Sequence, residues 1–488
     1  MKKIGMTIWL WSMLLLSGTA LASSWQGSPE ARLQLHQLGL ELALADVHPE
    51  LTLRWQQAVS PETASDAADD SLWLGLAAFW RQWATLNFEQ RQYLQTRDLA
   101  LVASEAEIAG LHEARLNNNL LALVRTQIPG YGDYDILKQQ LARLLAMADE
   151  PWPALAGPTL RPGEQGPAVA LLRQRLQRLG DMEPALEPEE TGDDNVFDQA
   201  LAAAVARFQH RHGLQVDGVV GPHTYAWLDV LPRSRAQLLM RSMLRTLIGD
   251  SLPASYLLVN IPEYRLRLYQ RQVMVLESDV IVGQDSRKTP IMHSNITNVV
   301  VNPPWNVPRS IINKDIVPRL YKDPGYIARQ GFEVLDGSGR VVPDEEWRFV
   351  LYTENRFPFR LRQRPGNLNA LGAWKFHLPN NEAIYLHDTP ARGLFARDSR
   401  ALSSGCVRVA NAEQLALWLL SDRWSPERLA ALKATRHTRW LPVSEPLPIF
   451  MVYWRGWLGE DGLPRFRDDI YDFDLSLNDP FARRDSQT

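Results

Sequence analysis

Apolar positions change their period along this chain of 488 residues. From about Ser28 to Ala148 they recur at helical spacing, as at Leu72, Leu76, Phe79 and Trp83, in a background rich in Leu, Ala, Gln and Arg. The pattern predicts a helical scaffold over residues 23–150, with Trp73, Trp80 and Trp83 as core or packing residues. Pro151, Pro153, Gly157, Pro158, Pro162 and Gly163 then mark a linker. Residues 160–231 read as a small helical unit. Val169, Leu172, Leu176 and Leu179 form one stripe ending at Gly180, and Leu201, Val205 and Phe208 form another ending at Gly213. Asp217-Gly218 and Gly221-Pro222 make turns, and Thr224 can cap a last helix carrying Trp227 and Leu228.

After a connecting helix near 235–247 the period becomes two. Residues 256–261, 265–269, 273–276 and 279–282 are predicted strands in meander spacing, and 297–302 and 383–387 continue the β character. Between Arg309 and Phe357 the chain is charged and loop-rich, with scattered aromatics, as expected of a subdomain inserted into a β domain. Residues 411–420 and 426–434 read as helices, and 448–454 and 466–471 as late strands. The fold class is therefore multidomain α+β. A β-rich domain spans 255–445, interrupted by the insertion at 309–357 and followed by C-terminal strands and tail over 446–488.

The first residues resemble an export signal. Lys2 and Lys3 precede a mostly apolar run from Met6 to Leu16, and Ala20-Leu21-Ala22 has the small-x-small cleavage pattern. Cleavage after Ala22 is the expectation, with an uncleaved inner-membrane anchor as the alternative. It places the protein in the periplasm and leaves association with the inner membrane or the wall open. Removing both lysines takes the formal charge from −4 to about −6. A mixed, mildly acidic chain gives no electrostatic reason to expect a nucleic-acid partner. The single cysteine excludes an intramolecular disulfide in an oxidising compartment.

That cysteine, Cys406, lies in Ser403-Ser404-Gly405-Cys406-Val407-Arg408, nineteen residues after His387. A thiol, a histidine and a glycine that lets backbone amides approach an oxyanion are the parts of nucleophilic acyl transfer. His387 would accept the thiol proton. The amides of Gly405 and Cys406 are candidate oxyanion donors, and Arg408 would hold a carboxylate or support the charge on sulfur. Ser403 and Ser404 could hydrogen-bond His387 or substrate. Tyr385 shares a strand face with His387 and would line the pocket. Asp388 suggests a triad, but strand neighbours face opposite ways, which argues against its carboxylate. No HExxH or comparable spacing supports a metal hydrolase built on His377, His387 and Asp388, so no metal or cofactor is expected. A catalytically silent wall-binding scaffold is the remaining rival.

Two resemblances extend this reading. Gly163-Glu164-Gln165-Gly166-Pro167-Ala168-Val169, Leu172-Arg173-Gln174-Arg175-Leu176, Phe208-Gln209 and Leu214-Gln215-Val216-Asp217-Gly218-Val219-Val220-Gly221 resemble the peptidoglycan-binding domain of many wall enzymes. Ile384-Tyr385-Leu386-His387-Asp388-Thr389 and Ser403-Ser404-Gly405-Cys406-Val407-Arg408 resemble the YkuD-type L,D-transpeptidase catalytic domain. The whole arrangement, with Trp305-Asn306-Val307-Pro308 and Lys314-Asp315-Ile316 opening the insertion, is similar to the large Gram-negative periplasmic L,D-transpeptidases, in which the insertion caps the active site.

The resemblance implies that Cys406 attacks a tetrapeptide stem ahead of its terminal D-alanine. His387 would shuttle the proton, and a backbone carbonyl near residue 388 would orient the imidazole. It implies 3→3 cross-links between diaminopimelate residues, with donor and acceptor stem peptides as partners and other wall-synthesis enzymes left open. L,D-carboxypeptidase and lipoprotein-anchoring activities are the family's alternatives. Acylation of Cys406 by carbapenems is also implied. Ser404 stands where many relatives carry histidine, so that histidine's role does not transfer.

Overall fold

A computed structural model of the protein describes residues 23–183, 194–248, 252–354 and 357–474. The expected export segment, residues 1–22, lies outside the described residues. The chain forms two compact units. One joins the described residues up to Thr85 with Arg97–Pro129, and the other joins Leu86–Thr96 with the described residues from Gly130 onward.

The first unit is helical. Helices Pro29–Ala45, Pro49–Val59 and Asp66–Trp83 pack together, followed by Glu105–Leu116 and Leu120–Arg125. Trp73 and Trp83 are buried in it, and Trp80 meets Phe79 edge to face. Asp69 is fully buried and accepts from Arg32 Nε at 2.8 Å, with His36 Nε2 at 2.6 Å. The helix Tyr134–Ala148, grouped by periodicity with this scaffold, instead packs within the second unit on helix Pro232–Thr246. Periodicity finds a helix but does not say which core receives it.

In the second unit, helices Pro167–Leu179, Gln199–His212 and Pro222–Asp229 form the small helical module. The first two end on Gly180 (φ 85°) and Gly213 (φ 69°), left-handed positions that favour glycine. Gln209 explains part of the motif. Its amide donates to Asp217 Oδ1 and the Val219 carbonyl and accepts from the Asp217 and Gly218 amides, so this one side chain builds the turn.

The β region comprises β1 (Ser255–Asn260), β2 (Arg265–Gln270), β3 (Val273–Gly283), β4 (Met292–Val301), β5 (Trp305–Asn306), β6 (Phe332–Leu335), β7 (Arg360–Gln363), β8 (Trp374–His377), β9 (Leu386–His387), β10 (Ala401–Ser403), β11 (Val407–Val409), β12 (Arg439–Val452), β13 (Gly456–Leu458) and β14 (Pro464–Phe466). Among the described residues one sheet runs β10-β3-β11-β9-β8-β4-β12-β1-β2, and β2 pairs back onto β3, so the sheet closes on itself. Its interior is the alternate face of each strand, as with Leu266 and Leu268 of β2, Trp374 and Phe376 of β8, and Val407 and Val409 of β11. Helix Ala412–Leu420 adds Leu415, Ala416 and Leu419 to that core.

Several boundaries differ from the periodic reading. Segments 273–276 and 279–282 are one strand, β3. Only Leu386–His387 of 383–387 and only Phe466 of 466–471 are extended strand. β12 runs across residue 445, pairing parallel with β1 and antiparallel with β4, so 446–452 belongs to the central sheet. The insertion has its own core, including Ile312, Leu320, Trp347 and Leu361, and its own sheet β5-β7-β6. Its structured limits are thus Trp305 and Gln363, wider than 309–357, because two framing strands are too short to show a period.

Candidate active site

The site forms where β9 and β11 run side by side. Val407 pairs with Leu386 and Arg408 with His387, in parallel. Leu386 and Val407 face the core, which turns His387 and Arg408 to the opposite face. His387 is buried and its Nδ1 donates to the Asp388 carbonyl at 2.5 Å. A carbonyl only accepts, so Nδ1 carries the proton and Nε2 is left as the base. The Asp388 carboxylate is engaged elsewhere. It accepts from the Ala373 amide at 2.9 Å and from Arg392 Nη2 at 2.7 Å, against Gly372, whose left-handed backbone (φ 60°) leaves no room there for a Cβ. Asp388 therefore serves the imidazole through its backbone, and its side chain is no substrate ligand in this arrangement.

The nucleophile loop is shaped by hydroxyl groups. Ser403 Oγ donates to the Cys406 carbonyl at 2.6 Å and accepts from the Gly405 amide at 3.1 Å. This corrects two expectations: Ser403 is committed to the loop, and the Gly405 amide is no free oxyanion donor. The Cys406 amide has no hydrogen-bond partner among the described residues and remains the donor available to an oxyanion. Gly405 is required by its backbone, since φ is 110° and a Cβ would stand 3.1 Å from Ile384 Cδ1. Its carbonyl accepts from Thr289 Oγ1 at 2.7 Å. Thr289 in turn receives the Gly283 amide and donates its own amide to the Tyr471 hydroxyl, which donates to the Gly283 carbonyl. Ser404 is exposed and accepts from Arg287 Nη1 at 2.8 Å rather than meeting His387. The same guanidinium holds Asp315 of the insertion through both nitrogens, at 2.5 and 2.8 Å.

Charge around the sulfur is one-sided. Cys406 is half-buried and its thiol donates to the Ala383 carbonyl at 3.9 Å. Burial pushes the thiol up, opposed by hydrogen bonding to Tyr385 and by the charges of Lys375 and Arg408. The Tyr385 ring lies 5.7 Å from that of His387, and burial, then the charge of the Cys406 thiolate, push the phenol pKa well up. Lys375 is absent from the motif-based reading. The alternation Trp374-Lys375-Phe376-His377 held the signal, because it turns Lys375 to the face opposite the core, directly across from His387. His377 packs edge-on against Trp440, 5.4 Å between centroids. Among the described residues no group of three His, Cys, Asp or Glu side chains is placed to hold a metal ion.

Burial, then Arg408, then Lys375 drive the His387 pKa from 6.5 down to about 3, against the hydrogen bond to Asp388 that favours its protonation. Its imidazole is therefore neutral across the range in which a histidine ordinarily titrates. The pH profile of kcat/KM is expected to show no inflection near 6.5 and to fall only as pH approaches the acid region. A protonation step near 6.5 in that profile would contradict this assignment.

Residues 254–436 match the family model described as the YkuD L,D-transpeptidase catalytic domain. The chain carries an L,D-transpeptidase catalytic domain. Residues 165–228 match a second model, "Putative peptidoglycan binding domain", so this L,D-transpeptidase domain is preceded by a peptidoglycan-binding module. A Haemophilus influenzae protein named "Putative L,D-transpeptidase" is 45% identical over 223 residues, covering 45% of this chain and 45% of that protein. The chain thus spans less than half the length of that relative. The N-acetylmuramoyl-L-alanine amidase CwlM of Mycobacterium tuberculosis is 37% identical over 98 residues, 19% of this chain and 24% of that protein. Among solved structures, the L,D-transpeptidase of Xylanimonas cellulosilytica is 17% identical, covering 62% of this chain and all of that one at a TM-score of 0.20, a superposition too weak to carry an argument.

Proposed function

We propose that the protein forms 3→3 cross-links in peptidoglycan through a thioester on Cys406. The observation that carries this reading is the arrangement around the chain's one thiol. A neutral, carbonyl-oriented imidazole lies on the adjoining strand, and an unpaired Cys406 amide stands at the nucleophile. His387 Nε2 takes the thiol proton as sulfur attacks the carbonyl preceding the terminal D-alanine of a tetrapeptide stem. The tetrahedral oxyanion is received by the Cys406 amide, and the proton passes to the departing D-alanine nitrogen. The thioester conserves the energy of the broken peptide bond, so cross-linking proceeds without nucleotide. His387 then deprotonates the side-chain amine of an acceptor diaminopimelate, which displaces sulfur.

The two family matches support peptidoglycan as substrate and an extracytoplasmic site of action. The insertion with its own core favours a second stem peptide as acceptor over water, because an acceptor strand needs ordering. We assign it the role of a cap. Incubating the purified protein with tetrapeptide muropeptides and reading products by mass spectrometry tests the proposal. Dimer with one released D-alanine per cross-link is expected. Tripeptide alone would make the protein an L,D-carboxypeptidase, and transfer only to a lipoprotein lysine would make it an anchoring enzyme.

A further inference from the structure

The chemistry above leaves two cations at the site, Lys375 and Arg408, without a role. Lys375 lies mid-strand in β8, paired with Val300 on one side and with His387 on the other. Its Nζ stands 3.8 Å from the centroid of the Tyr385 ring, and the Tyr385 carbonyl accepts from the amide of Val407, next in the chain to Cys406. Lys375 is half-buried, yet no carboxylate lies within ion-pair distance of it among the described residues, and the same is true of Arg408 on β11. A partly desolvated ammonium without a counter-charge is costly unless something nearby supplies the negative charge. The titratable groups facing it are Tyr385, His387, Cys406 and the flanking His377, all neutral as ordinarily protonated. Of these, Cys406 is the group whose working form is an anion.

We propose that Lys375 is a positioning residue whose ammonium, held on the Tyr385 ring, is the resident counter-ion of the Cys406 thiolate. The inference rests on the reading of Cys406 as nucleophile. When the S–H bond breaks and an N–H bond forms at His387 Nε2, the site gains one negative and one positive charge. Lys375 and Arg408 favour the first and oppose the second. The thiolate is thus balanced by fixed cations, and the imidazolium is a transient carrier that readily yields its proton to the leaving amine. Tyr385 links the two parts. A cation on its face makes the phenol a better donor towards the charge that develops on Cys406, whose pKa Tyr385 lowers.

Cys406 is the chain's only thiol, so its alkylation by iodoacetamide reports on it without a transpeptidation assay. Alkylation of the full chain is followed by intact mass from pH 5 to 10 in wild type, Lys375→Met and Lys375→Arg. In the methionine variant the sulfur's inflection is expected about one pH unit higher and the rate at pH 7 roughly tenfold lower. The arginine variant should recover most of the difference, and the melting temperatures should agree. An unchanged profile in Lys375→Met, or an arginine variant as slow as the methionine one, overturns the proposal. Should the methionine variant fail to fold, Lys375→Gln gives the same readout. A lysine-dependent profile in a protein that makes no dimers would refute the cross-linking reading and leave the role of Lys375 standing.

Discussion

Cys406→Ala reduces D-alanine release from tetrapeptide stems by at least about a thousandfold, to the level of buffer alone. The size of the effect follows from there being no substitute, since the chain has no second thiol and the flanking serine hydroxyls are committed. Ser403 is bonded within the loop and Ser404 to Arg287. The substitution should leave the fold intact. The loop is held through the Cys406 and Gly405 carbonyls and the Gly405 amide, not through the thiol. Intact mass distinguishes this loss from a binding defect. If the proposed chemistry holds, wild type exposed to a carbapenem is expected to gain one adduct and the alanine variant none, with binding to wall fragments equal in the two. Turnover above a tenth of wild type in the variant would remove Cys406 from the chemistry.

The second large effect concerns a buried ion cluster around Asp474. Asp474 is fully buried and meets Arg245 through both carboxylate oxygens at 2.7 and 2.8 Å, with Arg241 Nε at 3.1 Å and Arg455 at 3.8 Å. Asp474→Ala removes the carboxylate that the buried Arg245 meets with two nitrogens and is expected to cost about 3–5 kcal/mol, read from urea unfolding of the full chain. The pH dependence has a definite sign. Burial alone would raise the pKa of this carboxyl, but Arg245, Arg241 and Arg455 outweigh it and hold the group well below the ordinary carboxylate range. Its contribution is therefore complete above the unfolded value of about 4 and is lost as pH falls from there towards the folded value. Wild type should lose stability below that point more steeply than Asp474→Asn, and equal acid slopes would contradict the assignment.

The parts of this site that were legible in the sequence are those set by neighbours. His387 on a strand and Cys406 after a glycine depend on a few consecutive residues and the two-residue period, whereas the backbone orientation of the imidazole was implied by the family resemblance. What escaped depends on register or competition. Lys375 reaches His387 only because β8 and β9 pair as they do, and the Gly405 amide is taken by a hydroxyl two residues away. The boundary at 445 failed for another reason. The predicted strand from 448 is only the end of β12, which starts at Arg439, passes Pro442, Pro446 and Pro448 with a register shift between Pro442 and Leu447, and continues to Val452.

The loop joining β3 to β4 gives the molecule an order of assembly. Three of its consecutive residues reach outward: Arg287 to Asp315, 28 positions on, Lys288 to the Tyr471 carbonyl, 183 positions on, and Thr289 to Gly405, 116 positions on. Closing such distant loops delays a contact more than it weakens one. A chain emerging from its N-terminus can build the meander early, but the cradle beneath Gly405 stays open until Tyr471 has arrived. The nucleophile's geometry is therefore among the last things this polypeptide acquires.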